Sequence, residues 1–472
     1  MFSLCCLGLA FCLFASSQKE MKVNADPKLI QVIGVTRHGV RSSINPIPSL
    51  PCPKFKETPG EITQKGHEEN YQLGESIRES YKDFIGSEFS IKKHYFISSG
   101  EPKTLISGQS IFQGMFNSSF VDGMKPYPSV PIHSETLSSD HVMMFSSTCA
   151  EAISAERQYV TKTDEWNEIA KANKEFFGKV KEKGGFSFDI TFGTVPKAAE
   201  QIILATHNGF TSTSENCVFD DNDMNDKLIE LATKRNIMNN NPKDTELAKL
   251  QASPFINDVI KNIKARIASK DKEKEFVMYI GSNANVLGPL QLFKQESPGR
   301  VPFGSLFYFE VYNTNGAKTE GPYEEADIKV KVGYRKFENG KLEPVGEACK
   351  TCNLSPVMCN EQDMCTIQQL KDIVYTNEEW LTKCGLDEKK PEPANNETEI
   401  ADKPVQSKAF SPAALATTIV LAVVLLIAIV VIVILGIKNC SISSRLKAAS
   451  ANSDGMAIQM KAMEPEAESA SN

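Results

Sequence analysis

The stretch Arg37-His38-Gly39-Val40-Arg41 constrains this chain more than any other. It follows an apolar run of Leu29, Ile30, Val32, Ile33 and Val35, broken only by Gln31 and Gly34. So dense an apolar run reads as a buried β-strand. A strand ending in Arg-His-Gly-x-Arg carries two guanidiniums and an imidazole to its carboxyl end, where open α/β sheets bind ligands. Two arginines of fixed fork geometry suit a phosphate dianion. A histidine between them can attack phosphorus. Gly39 lets the backbone come close. A surface turn without chemistry explains five residues equally well, so the rest of the chain has to decide.

The rest of the chain reads as an α/β protein. Glu68 to Tyr81 has helical spacing, and Phe255, Val259, Ile260 and Ile263 form a helical apolar face. Phe276 to Ile280 is a short buried strand. Ile328, Val330, Val332 and Tyr334 alternate as a half-exposed strand, and Asn339-Gly340 predicts a hairpin turn after it. Helix and strand interleave. The middle, about 130 to 270, reads as mainly helical. A net charge of -7 gives no reason to expect nucleic-acid binding. The runs Lys179 to Lys183 and Lys270 to Lys274 are solvated surface. Asp220, Asp221 and Asp223 lack the ligand spacing of a calcium loop. No metal and no cofactor is expected.

Both ends point to a membrane. Leu4 to Phe14 is apolar and precedes the small residues Ala15-Ser16-Ser17, as in a secretory signal over residues 1–17, although a basic leading segment is missing. Ala413 to Ile437 holds no charge. At about 1.5 Å per residue it crosses a ~30 Å hydrocarbon core with some tilt. Lys438, Arg445 and Lys447 follow it. The expectation is a single-pass type I protein at the cell surface or in an endomembrane. Residues 18–388 form its globular ectodomain, 389–412 a polar stalk, 413–437 the transmembrane helix and 438–472 a cytoplasmic tail. Asn117, Asn353 and Asn396 open glycosylation sequons on the outer side. Eight cysteines fall in the ectodomain, an even number that suggests disulfides in an oxidising compartment. Cys349, Cys352, Cys359 and Cys365 can also be read as zinc ligands.

Further blocks resemble one family, the histidine acid phosphatases. Ile62-Thr63-Gln64-Lys65-Gly66, continuing through Tyr71-Gln72-Leu73-Gly74 to Arg78 and Tyr81, is similar to the second signature block. Val130-Pro131-Ile132-His133, Met278-Tyr279, Pro302-Phe303-Gly304-Ser305 and Phe309-Glu310-Val311-Tyr312 resemble later blocks. The resemblance covers about residues 28 to 385. It implies a parallel-sheet core sandwiched by helices, with a helical insertion capping the site. It also implies a mechanism. Arginines hold the phosphate, His38 attacks phosphorus to form a phosphohistidine, and a carboxylic acid protonates the leaving alkoxide. Disulfides Cys359–Cys365 and Cys149–Cys384 are implied as well.

Arg37, His38 and Arg41 match the phosphate-binding and nucleophile positions. Ser43 stands where the family usually has proline. The family's third clamp arginine falls here on Ser98 or Ile97, with Lys103 at a second basic position. A lysine supplies charge without the bidentate fork. Met278 to Val286 aligns without a gap. There Ser282 replaces a phosphate-binding histidine and Asn283 replaces the proton-donating aspartate. General acid catalysis is worth roughly 10²–10⁴-fold, and an amide cannot supply it. The expected function is therefore binding of a phosphomonoester or other anionic ligand, with catalysis lost or much weakened. An active acid phosphatase working through His38 is one alternative. There His207, Glu101 or Asp220 would serve as the acid. An adhesion or receptor ectodomain that keeps only the scaffold is the other.

Overall fold

A computed structural model describes residues 26–386 apart from 117–129, 241–244, 272, 294–298, 317, 319 and 345–363. The signal segment, stalk, Ala413–Ile437 span and tail lie outside the described residues, as do Asn117, Asn353 and Asn396. Among the described residues, no helix is long and apolar enough to cross a membrane.

The strands are β1 (Lys28–Arg37), β2 (His94–Ser98), β3 (Ile132–His133), β4 (Phe276–Gly281), β5 (Leu306–Asn313), β6 (Ile328–Glu338) and β7 (Lys341–Pro344). They form one sheet in the order β3-β2-β4-β1-β5-β6-β7. The four strands from β3 to β1 run parallel. The three beyond β1 are antiparallel. The parallel-sheet core that the resemblance implies is thus only half the sheet. Part of the reason is local. β6 and β7 form the hairpin that Asn339-Gly340 announced, with φ of 52° and 78° at its turn. Antiparallel neighbours need no crossover helix.

Alternation along β1 and β4 builds two cores, because successive side chains leave opposite faces. Val32, Phe276, Met278 and Ile280 pack with Leu73 and Ile77 of helix Gln64–Ser80 and with Ile111, Phe112 and Met115 of helix Pro102–Phe116. Ile33, Val35, Val277 and Tyr279 face Phe255, Val259 and Ile263 of helix Thr245–Ala268 and Val286 and Leu290 of helix Asn283–Leu292. Each such side chain, fully buried, contributes ~1.5–3 kcal/mol. Helices Gln64–Ser80 and Pro102–Phe116 approach to backbone contact. A β-carbon on Gly74 would overlap the Ile111 carbonyl, and one on Gly114 the Tyr71 carbonyl. That approach anchors the loop that follows β1, since Gly66 and Asn70 of the first helix pack on Val40 and Gly39.

The segment between β3 and β4 is helical, as its pattern suggested. Helices Ala150–Val160, Asp164–Ala172, Lys174–Gly184, Val195–Asn208 and Asn222–Asn239 are among its elements. Trp166, Phe177, Phe192, Ile202 and Leu228 belong to a separate apolar core there. Cys149–Cys384 forms as expected. Cys52–Cys217, which the sequence did not single out, ties the loop after β1 to this helical region. Gln201 reinforces the tie, accepting from Ile47 N–H and donating to the carbonyls of Leu50 and Cys217. Cys365 is disulfide-bonded, and its expected partner Cys359 lies outside the described residues.

Candidate active site

The carboxyl ends of β1, β2 and β4 meet in register. Arg37 pairs with Gly281, and both Thr36 and Ser98 pair with Ile280. The chain leaving each strand therefore enters one small region. His38 N–H donates to the Gly281 carbonyl at 2.8 Å, which fixes the imidazole beside the start of helix Asn283–Leu292. Five sequence-nominated residues, Arg37, His38, Arg41, Ser282 and Asn283, come together here. His38 and Arg37 are buried, and Arg41, Ser282 and Asn283 form a half-buried rim.

His38 is held as a neutral imidazole. Its Nδ1 lies 2.8 Å from the Gly39 carbonyl. A carbonyl only accepts, so Nδ1 carries the hydrogen and the Nε2 lone pair stays available. Burial first, then the Arg37 charge, push its pKa well below the ordinary histidine range. Lys103 and Arg41 act in the same direction. Gly39 has no room for a side chain. A β-carbon there would press on the Asn70 amide and on the Gly66 carbonyl.

The arginines are arranged around Phe303. The Arg37 guanidinium lies 3.9 Å from the centre of that ring and donates to the Val301 carbonyl. Arg300 lies 5.1 Å from the same ring centre. The rings of His38 and His207 stand 5.7 and 5.2 Å from it. Arg41 Nη2 meets Glu200 Oε1 at 2.6 Å. Burial pushes the Glu200 carboxyl up, but Arg41 and the bonds from Arg41 and Asn45 outweigh it and hold it below the ordinary range. Glu200 also accepts from Ser43, so the family's usual proline position here carries a hydrogen-bond donor. Beside Phe303 a cleft of about 740 Å³ opens between Lys65, Glu69, His207 and the β6–β7 turn.

The replacement residues are committed to the scaffold. Ser282 is the N-cap of helix Asn283–Leu292. Its hydroxyl accepts from Ala284 N–H and donates to Asn285 Oδ1, and its backbone N–H donates to the same Asn285 oxygen, closing a capping box. Asn283 Oδ1 accepts from Val301 N–H at 2.8 Å. Ser98 is buried, and its hydroxyl donates to the Ser99 carbonyl. Lys103 pairs with Glu101. Of the other acids considered, His207 is bonded to Glu69 at 3.1 Å. Asp220 is exposed and paired with Lys183, an ion pair outside the site.

Sequence reasoning missed Arg300 and Glu200. Neither sits in a recognisable local pattern. Arg41 and Glu200 are 159 residues apart, and Arg37 and Val301 are 264 apart.

A chain with this sheet and this strand-end imidazole can be compared with known proteins. The histidine phosphatase superfamily (branch 2) matches residues 51–332. The chain belongs to that superfamily. The match begins after Arg41, so the strand-end motif stands on geometry of its own. Prostatic acid phosphatase of Mus musculus is 25% identical over 317 residues, covering 66% of this chain and 80% of the relative. That of Homo sapiens is 23% identical over 387 residues, covering 80% and 92%. Among solved structures, the phytase from Citrobacter braakii aligns with a TM-score of 0.53 at 14% identity, covering 76% of this chain and 99% of that one. At that identity the likeness is one of fold.

Proposed function

We propose that the domain binds phosphomonoesters or related anions at His38, Arg37 and Arg41, and that its phosphoryl transfer is lost or much weakened. One observation carries this reading: Asn283, an amide at the position where the resemblance implies the proton donor, is bonded to the scaffold while Arg37 and a neutral His38 stand at the strand end. In the full reaction, His38 Nε2 forms a bond to phosphorus as the P–O bond to the leaving group breaks. The departing alkoxide then needs a proton. Asn283 has none to give, and its oxygen is engaged with Val301 N–H. The first half, anion binding, needs only the charges that are present. Residual turnover through His38 is the second reading, favoured by the tautomer that Gly39 fixes.

Calorimetry with inorganic phosphate, using the full-length chain purified in detergent, tests binding. Turnover of p-nitrophenyl phosphate at acidic pH, beside a His38→Ala variant, tests chemistry. The expected result is measurable phosphate affinity with little turnover. No phosphate binding defeats the binding reading. Efficient turnover that vanishes in His38→Ala defeats the weakened-catalysis reading.

The placement we infer is single-pass, with this domain outside the cell or in a lumen. The apolar runs Leu4–Phe14 and Ala413–Ile437 support it, as do two disulfides. Protease added to intact cells should remove the domain and spare the tail. A surface-labelled domain that resists the protease while the tail is cut reverses that orientation.

A further inference from the structure

The site holds more positive charge than its own carboxylates balance. Arg41 lies close enough to Arg37 and Arg300 to depress both. Burial, then Arg300 and Arg41, lower the Arg37 pKa well below the ordinary arginine value. Burial, then Arg41, bring Arg300 down to about 10. Arg300 therefore remains a cation at neutral and acidic pH. Among the described residues, the carboxylate paired with this group is Glu200, and it is saturated by Arg41, Ser43 and two donors of Asn45. Among the described residues, no carboxylate forms an ion pair with Arg300. Crowding like charges while removing them from water is unfavourable unless an anion completes the set.

The loop carrying Arg300 is held as a ligand-presenting segment would be. Val301 is fastened at both ends of its peptide unit: its N–H to Asn283 Oδ1, its carbonyl to the Arg37 guanidinium. Gly304 N–H then donates to the Arg37 carbonyl, and Arg37 N–H donates to the Ser305 carbonyl. Arg300 is thus one residue from a doubly anchored point. Its guanidinium shares the Phe303 ring with that of Arg37.

We propose that Arg300 is the third guanidinium of an anion clamp, binding the same phosphate as Arg37 and Arg41. It supplies from the segment before β5 the group missing at the end of β2, where Ser98 is turned to backbone. This rests on the proposed function above and assigns the residue that completes it. Asn283 then has a role of its own: it positions Val301 and with it Arg300.

The test uses the full-length chain, inorganic phosphate and the variants Arg300→Ala and Arg300→Lys. Losing one charge-assisted, forked contact should weaken phosphate binding roughly tenfold or more. Arg300→Lys, which keeps charge without the fork, should fall between wild type and Arg300→Ala. Thermal unfolding without phosphate supplies a second readout. Removing a like charge from beside Arg37 and Arg41 should leave Tm unchanged or raise it. Phosphate should then raise Tm less in Arg300→Ala than in wild type. Two results overturn the clamp assignment alone. One is phosphate binding by Arg300→Ala as tight as wild type. The other is a lowered ligand-free Tm with an undiminished phosphate shift, which marks a structural residue. Absence of phosphate binding by the unaltered chain overturns the proposed function and this assignment together.

Discussion

The double substitution Ser282→His and Asn283→Asp should raise turnover of p-nitrophenyl phosphate by about 10²-fold or more, the usual range for a restored general acid. An aspartic acid at 283 can protonate the leaving alkoxide, which the present amide cannot. Its carboxylate oxygen can still accept from Val301 N–H, so the bond that Asn283 makes now is retained. The surrounding arginines favour the ionised carboxyl, and an ionised carboxyl is no proton donor. The gain should therefore be greatest at acidic pH. The histidine has a cost. Ser282 caps helix Asn283–Leu292 through Ala284 N–H, and losing such a cap removes ~1 kcal/mol of stability. Asn283→Asp alone keeps the cap and separates the two effects. Adding His38→Ala to the double variant should return turnover to background, because the proposed covalent step runs through His38. If both variants are folded by their thermal transitions and neither gains at any pH, the missing proton donor is not what limits this site.

A second large effect is acid lability. Stability should fall by about 3 kcal/mol as pH drops from 6.5 to about 4, because His94 is buried neutral. Burial is the main cause of its lowered pKa. The Ile85 carbonyl opposes the shift and Lys93 adds to it. Its ring accepts from Ser90 N–H at Nδ1 and meets the Ile85 carbonyl at Nε2, so both nitrogens are used by the neutral form. Phe89, Phe116 and Phe276 surround it. The unfolded chain takes up a proton below its ordinary pKa of 6.5, whereas the folded chain waits until about 4. The contribution is thus intact above the first value and is lost progressively down to the second. His38, also depressed by burial, acts with the same sign. Urea unfolding across this pH range, on wild type and His94→Gln, measures the slope. The variant should show a shallower acid limb, whatever its stability at neutral pH. Identical limbs would rule out His94 as the titrating group.

Much of this architecture was visible as pattern. The run from Leu29 to Val35 and the Phe276–Ile280 strand are apolar on both faces because both faces are covered by helices. The hairpin followed from Asn339-Gly340, where positive φ is required at both positions. His38, Arg37 and Arg41 were legible because one strand end delivers all three. The antiparallel placement of β5 beside β1 was not, since pairing direction depends on which neighbour β1 finds. Ser282 was legible as a departure, yet its capping duty appears only with Asn285 folded beneath it. Arg300 and Glu200 had no local signature. Their place comes from tertiary closure, with Glu200 brought in by the helical region that Cys52–Cys217 fastens to the site loop.

The second disulfide has a consequence for how recognition and tethering are divided. Cys149–Cys384 latches the last described helix, Asn377–Lys383, while Trp380 inserts beneath it and donates to the Leu250 carbonyl at 2.8 Å. Among the described residues, every element that builds the His38 site precedes Cys384. A proteolytic cut beyond Leu386 therefore removes none of the site contacts found among the described residues. On the single-pass placement proposed above, such a cut would turn a tethered domain into a diffusible one, and both forms would draw on the same ligand pool.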